Sequence, residues 1–254
     1  ALARMFLPHA AFHKNVFLAR TFCIAALVFR AFPRNSRDRK TQTDIFTGVF
    51  AVEIPLQEFE RAAQRLKGVL HHTELDLSAT FSAMTGGNIY LKYENSQKTG
   101  SFKIRGASNK IAALVERGET GAVVASSAGN HAQGVAYAAH RFGIPATIVM
   151  PKTAPIAKAK ATEGYGATVV LAGDCYDDAY AKACEICEQE HATFLHPYND
   201  PEVIAGQGTL GLEILGDLPT ADIVIVPAGG GGLLAGVAAC IKQINPRVQV
   251  IGVQ

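Results

Sequence analysis

The sequence predicts an α/β protein of two lobes, each a mostly parallel sheet covered by helices on both faces, and three observations carry that reading. From Pro55 to Gln254, apolar β-branched runs alternate with amphipathic stretches of helical period. The apolar runs are continuous rather than alternating, as in strands buried on both faces. There are too many of them for one small sheet, so two three-layer α/β lobes with a cleft between them are expected.

Each element follows from local chemistry. Pro55 suits a first helical turn and Gly68 a stop, which places a helix over Gln57–Lys67. Asn88–Lys92 alternates as a short strand, and Ser101–Arg117 carries helical spacing. Ala122–Ala125 is an apolar strand leading into a helix over Asn130–Phe142, which Gly143-Ile144-Pro145 breaks. Strand Ala146–Met150, helix Pro155–Glu163, strand Ala167–Leu171 and helix Tyr176–Glu190 continue the rhythm. After Thr193–His196 come a helix within Pro201–Leu215, strand Ile223–Val226, helix Gly232–Gln243 and strand Val248–Val253. These elements divide into a large lobe from residues 51–118 and 193–254 and a small lobe from 119–192. A basic leader, 1–50, is expected to stand outside the fold. The last strand runs to the final residue, so the sequence is expected to be a C-terminally truncated fragment.

A chain of 254 residues that is 48% apolar can bury a sizeable core. Its net charge of +2 hides an asymmetry: residues 1–40 hold eight Lys/Arg against one acid, leaving 16 basic and 21 acidic groups, a net of −5, in the remainder. A mildly acidic body argues against a nucleic-acid surface. The leader's apolar run, Thr21–Phe29, is far shorter than the about 20 residues of a bilayer span, which argues against a membrane anchor. Arginines follow it where a secretory cleavage site would lie. An organelle transit segment fits the composition better than a secretory signal; an unstructured extension or a mis-assigned start is favoured over both, and the cytoplasm is the expected location. Five cysteines (Cys23, Cys175, Cys184, Cys187, Cys240) are odd in number and unpatterned, which fits a reducing compartment. Cys184, Cys187 and His191 share a helical spacing, but structural zinc takes four ligands, so packed thiols and no metal are expected.

Three runs carry chemistry. In Ser101-Phe102-Lys103-Ile104-Arg105-Gly106 a lysine follows an aromatic residue near a helix start, and apolar cover favours a neutral, nucleophilic amine. Most lysines are surface charges, and Phe102 alone does not overturn that reading. Gly229-Gly230-Gly231-Gly232 joins an apolar strand to the helix at Leu233, where converging N–H groups and the helix dipole suit a phosphate. It lacks both the Lys-Ser/Thr ending of a Walker loop and a dinucleotide fingerprint. Ser126-Ser127-Ala128-Gly129-Asn130-His131 forms a second strand-to-helix turn, suited to another anion such as a substrate carboxylate. His131 is a general-base candidate ranked below a structural or capping role. Ser127 and His131 are not a hydrolase dyad, because no Gly-x-Ser-x-Gly elbow is present.

Together these runs resemble the serine/threonine dehydratase–serine racemase family. Glu94–Ala107 (ENSQKTGSFKIRGA) is similar to that family's cofactor-attachment signature, and SSAGNHAQG, HPYNDPEVIAGQGTLGLEI and PAGGGGLLAG follow in the family's order. The resemblance spans roughly Pro55 to Gln254 and implies a fold-type II architecture, like the tryptophan synthase β subunit, with pyridoxal 5′-phosphate between the lobes. It implies that Lys103 is the Schiff-base lysine and the base at Cα, that Phe102 packs on the pyridine ring, and that Asn130 bonds the ring oxygen. It implies that Gly229, Gly230, Gly231, Gly232 and Leu233 bind the phosphate, while Ser127, Ala128, Gly129 and His131 frame the substrate carboxylate. A small amino-acid substrate and a homo-oligomer, dimer or tetramer, are implied as partners.

Within the family the chain is most similar to the short catabolic threonine dehydratases, which implies β-elimination of L-threonine to 2-oxobutanoate and ammonia, with L-serine secondary. Serine racemases place a second Ser where Ala128 stands and commonly a metal-binding acid where Gln254 falls, and Gln is a poorer ligand for a hard cation. A racemase, and a truncated cofactor-binding protein without catalysis, are the alternatives. Two departures stand out: Thr73-Glu74-Leu75 replaces the family's Thr-Pro-Leu, and the usual Ser or Cys against the pyridine nitrogen lies beyond residue 254.

Overall fold

The computed structural model describes residues 53–254 and the backbone of Ala26–Arg30. Along the chain come β1 (Ala26–Arg30), α1 (Leu56–Leu66), β2 (Leu75–Leu77), α2 (Ala79–Thr85), β3 (Asn88–Lys92) and α3 (Lys103–Glu116). Next are β4 (Val123–Ser126), α4 (Asn130–Phe142), β5 (Ala146–Met150), α5 (Ile156–Gly164), β6 (Thr168–Leu171) and α6 (Tyr176–Glu190). The chain ends with β7 (Thr193–Phe194), α7 (Pro201–Asp217), β8 (Ile223–Pro227), α8 (Gly232–Ile244) and β9 (Gln249–Val253).

The strands form a four-stranded sheet, β6-β5-β4-β7, and a five-stranded sheet, β2-β3-β1-β8-β9. The first is parallel throughout. In the second, β8 and β9 pair in parallel, and β3 runs with them because β1 is antiparallel to both β3 and β8. Burial shows the layering. All of β4 is buried; Val123 and Ala125 join a cluster with Ala107 and Ile111 of α3 and Val135 of α4, while Val124 faces Ala179 and Ala183 of α6. In the five-stranded sheet, Val224 and Val226 pack under Leu210 of α7 and Val237 of α8, while Ile89 and Leu91 face Phe81 of α2.

Three elements escaped the sequence reading. Residues 1–50 were expected outside the fold, yet Ala26–Arg30 sits inside the five-stranded sheet, in register from Ala26 opposite Lys92 to Arg30 opposite Asn88. This part of the apolar leader run is a strand, completing the ladders of two neighbours whose backbone groups need partners. Cys23 and the rest of the leader lie outside the described residues. β2, at three residues, is too short to show a period, and α2 carries no charge; its signals were Ser78, whose hydroxyl accepts from Phe81 N at 3.3 Å, and Gly86 at φ 72°.

α7 is the support on which α1, α3 and α8 assemble, and its glycines make that possible. A Cβ on Gly206 would lie 2.5 Å from the Arg105 carbonyl oxygen and 2.8 Å from Gly106 Cα, so α3 crosses α7 at backbone contact. A Cβ on Gly236 of α8 would lie 2.4 Å from the Ile204 oxygen and 2.8 Å from Gly208 N. Glycine inside a helix costs about 1 kcal/mol relative to alanine, a cost these crossings offset by close packing. On the opposite side of α3, Gly134 of α4 leaves room for the Lys103 carbonyl.

Charge fixes the same junction. Arg105 is fully buried, and its five N–H groups all find acceptors. Nε and Nη2 bond Glu94 at 2.8 Å each, Nη1 and Nη2 bond Glu213 at 2.5 and 2.9 Å, and Nη1 also bonds Thr209 at 3.2 Å. Burial alone would lower the Arg105 pKa, but the two carboxylates more than reverse this and raise it. Buried Lys92 likewise uses three donors: Thr73 O at 2.7 Å, Glu213 at 2.8 Å and Asp217 at 3.3 Å.

Two outcomes follow for urea denaturation. Gly206→Ala, despite its better helix propensity, is expected to destabilise the chain by about 1–3 kcal/mol through overpacking. Arg105→Met, which leaves buried Glu94 without its cation while Glu213 keeps Lys92, is expected to cost about 3–5 kcal/mol.

Candidate functional site

The site forms where α3, α4 and α8 begin, at the C-terminal ends of strands from both sheets. Lys103 is the first residue of α3, with Phe102 as N-cap. The lysine Nζ donates to the Pro197 carbonyl at 2.7 Å and stands 5.4 Å from the Phe102 ring centroid. Among the described residues no carboxylate pairs with it. Desolvation therefore acts unopposed and lowers its pKa to about 8.

The second turn gives α4 its start. Gly129 is the N-cap, and Ser127 Oγ accepts from Gly129 N at 3.2 Å, closing a local turn. Ala128 packs against the core cluster of the four-stranded sheet, and Asn130 is exposed at the first helical position. His131 is buried, with Nε2 2.9 Å from the Leu195 carbonyl. A carbonyl only accepts, so Nε2 carries the proton and Nδ1 is left as a buried acceptor without a partner among the described residues. Burial, then the nearby Lys103 charge, pulls the His131 pKa down to about 3. So weak a base is fixed in the neutral form, which suits a hydrogen-bond acceptor rather than a titrating base.

The glycine turn opens α8, with Gly231 as N-cap at φ 85°, a backbone region L-residues avoid. Leu233 is buried in the same cluster that Phe102 packs against, which brings the lysine's helix to the glycine turn. A Cβ on Gly229 or on Gly129 would meet nothing within 4 Å, so each turn leaves an open space in front of a helix start. Two residues not singled out from the sequence also belong here. Pro197 supplies the carbonyl that holds Lys103, and Tyr198 lies against Gly230 and Gly232; both stand in the HPYN stretch, which was read only as part of a motif.

These residues fit pyridoxal phosphate. Two dipole-aligned turns can take its phosphate and a substrate carboxylate, and a desolvated amine can take its aldehyde. Thr99 Oγ1 and Ser101 Oγ, just before Lys103 in the chain, and His131 Nδ1, whose ring feels the Lys103 charge, are buried polar atoms with no partner among the described residues. Metal is another matter: among the described residues no group of three or more His, Cys, Asp or Glu could hold one. The thiols of α6 and α8 are free, with Cys187 and Cys240 pushed up by burial to about 11 and about 12.

The chain is similar to known proteins. L-threonine ammonia-lyase of Thermotoga maritima is 59% identical over 201 residues, covering 79% of this chain and 50% of that protein. The catabolic L-threonine dehydratase of Escherichia coli K12 is 52% identical over 205 residues, covering 81% of this chain and 62% of that protein. The chain thus spans half to three-fifths of the length of these curated relatives. The solved structure of maize serine racemase superposes with a TM-score of 0.75 at 38% identity, covering 78% of this chain and 60% of that one. Residues 67–254 match the family described as pyridoxal-phosphate dependent enzyme, and the chain belongs to that family.

Proposed function

We propose that this chain carries the core of a threonine ammonia-lyase, eliminating the β-hydroxyl of L-threonine to give 2-oxobutanoate and ammonia, with L-serine as a second substrate. The observation that carries it is Lys103: a desolvated amine with no carboxylate partner among the described residues, beside two open helix starts. When bound, the cofactor supplies an electron sink for charge developing at Cα.

The chain's own residues do the rest. Gly229, Gly230, Gly231, Gly232 and Leu233 direct backbone N–H groups at the phosphate, and Phe102 and Asn130 hold the ring. Ser127, Ala128, Gly129 and His131 frame the substrate carboxylate. Lys103 Nζ would hold the cofactor's aldehyde and, once free, would take the Cα proton. With a pKa of about 8, roughly a tenth of the amine is neutral at pH 7, enough to react without external activation. Ala128 decides between elimination and racemisation. A racemase needs a proton donor on the face opposite the lysine, and a half-buried methyl group packed against the core cluster offers none. The reading includes a homo-oligomer and needs neither nucleic acid nor membrane. No helix among the described residues is long and apolar enough to cross a membrane.

Lys103→Ala is expected to abolish both the absorbance band of lysine-bound cofactor and keto-acid formation from threonine; activity surviving in that variant contradicts the proposal. Attachment requires the neutral amine, so its rate should rise from pH 6 and level off above about 8, with no inflection from His131 between pH 5 and 8. Gly229→Ala, whose Cβ meets nothing, should leave the urea midpoint unchanged while weakening cofactor binding by about tenfold or more, or about 1.4 kcal/mol.

A further inference from the structure

We infer that Tyr198 is a positioning residue whose ring shapes the glycine turn for the cofactor phosphate, an inference that rests on the function proposed above. The four glycines lack side chains for different reasons. Gly231 is required by its φ of 85°, and Gly229 faces open space. Gly230 and Gly232 face Tyr198 instead. A Cβ on Gly230 would lie 2.3–2.6 Å from ring atoms Cδ1, Cγ and Cε1, and a Cβ on Gly232 would lie 2.7–2.9 Å from the tyrosine's carbonyl oxygen, Cα and Cβ. Two of the four glycines are thus explained by tyrosine packing, not by room for an anion.

The tyrosine is itself held in place. His196 Nδ1 accepts from the backbone N–H groups of Tyr198 at 3.3 Å and Asn199 at 2.8 Å, and the two rings meet edge to face at 4.6 Å. The same short segment holds the other two motifs: the Leu195 carbonyl meets His131, and the Pro197 carbonyl meets Lys103. Residues 195–198 therefore touch all three runs that form the site. A run of four glycines samples many conformations, and fixing it at the moment of binding costs affinity. A ring packed on one side removes much of that freedom in advance, leaving the N–H groups to the open side. Gly230 faces ring carbons and Gly232 the tyrosine's backbone and Cβ, so at Gly230 the ring and not the hydroxyl carries the role.

Two measurements on the full chain test this: titration with pyridoxal phosphate read by the absorbance of lysine-bound cofactor, and thermal melting without cofactor. Tyr198→Ala is expected to weaken binding by about tenfold or more, and Tyr198→Phe to stay within about threefold of the unsubstituted chain. Gly230→Ala should lower the cofactor-free melting temperature and weaken binding. In the Tyr198→Ala background the same glycine substitution should cost much less of both, because the space is then free. Additive losses in the double variant, or a Tyr198→Ala chain that binds as tightly as the unsubstituted one, overturn the inference. Failure of the unsubstituted chain to bind cofactor contradicts the proposed function, and the cofactor-free melting series still decides the ring's role: non-additivity supports it and additivity overturns it.

Discussion

The contact on which the rest depends is the backbone-to-backbone crossing of α3 and α8 on α7. Lys103 sits at the start of one crossing helix and the glycine turn at the start of the other. Their separation is set by how closely each helix approaches α7. Gly106 against Gly206, and Gly236 against Gly208, remove the side-chain layer that ordinarily keeps helix axes 8–10 Å apart. Any residue larger than glycine at these crossings would push apart two chemical groups that must reach the same small molecule.

Electrostatics then sorts the charges of this junction into two kinds. Lys103 and Arg105 are two residues apart on one helix, and their surroundings shift them in opposite directions. Arg105 is surrounded by Glu94 and Glu213, which outweigh burial and hold its charge. Among the described residues Lys103 meets a carbonyl and the Phe102 ring but no carboxylate, so burial prevails and the amine approaches neutrality at about 8. The paired cation anchors the helix; the unpaired one remains available for chemistry. Both need low dielectric, but only the second needs to lack a counter-charge.

Much of this was legible in the sequence. The α/β alternation, most element boundaries and the three motif turns follow from local signals: period, β-branching, and glycine or serine at strand-to-helix turns. What escaped was long-range. Arg105 and Glu213 are 108 residues apart, and no local pattern says that they pair. The glycines of α7 were read as motif letters, whereas their reason is the backbone of another helix. β1 looked like part of a detached leader because an apolar run of its length is equally a targeting segment, and only its two ladder partners identify it as a strand. Tyr198 showed the same limit, since a tyrosine after His-Pro gives no sign of the glycine turn it meets 32 residues later.

The central claim is that one lysine among many reacts because the fold desolvates it beside a phosphate cradle. Borohydride reduction of the chain after loading with pyridoxal phosphate, followed by mass mapping of its peptides, tests that most directly. The account predicts the reduced cofactor on Lys103 at close to one equivalent. A label spread over Lys92, Lys98, Lys110 and the surface lysines, or absent from Lys103, would contradict it.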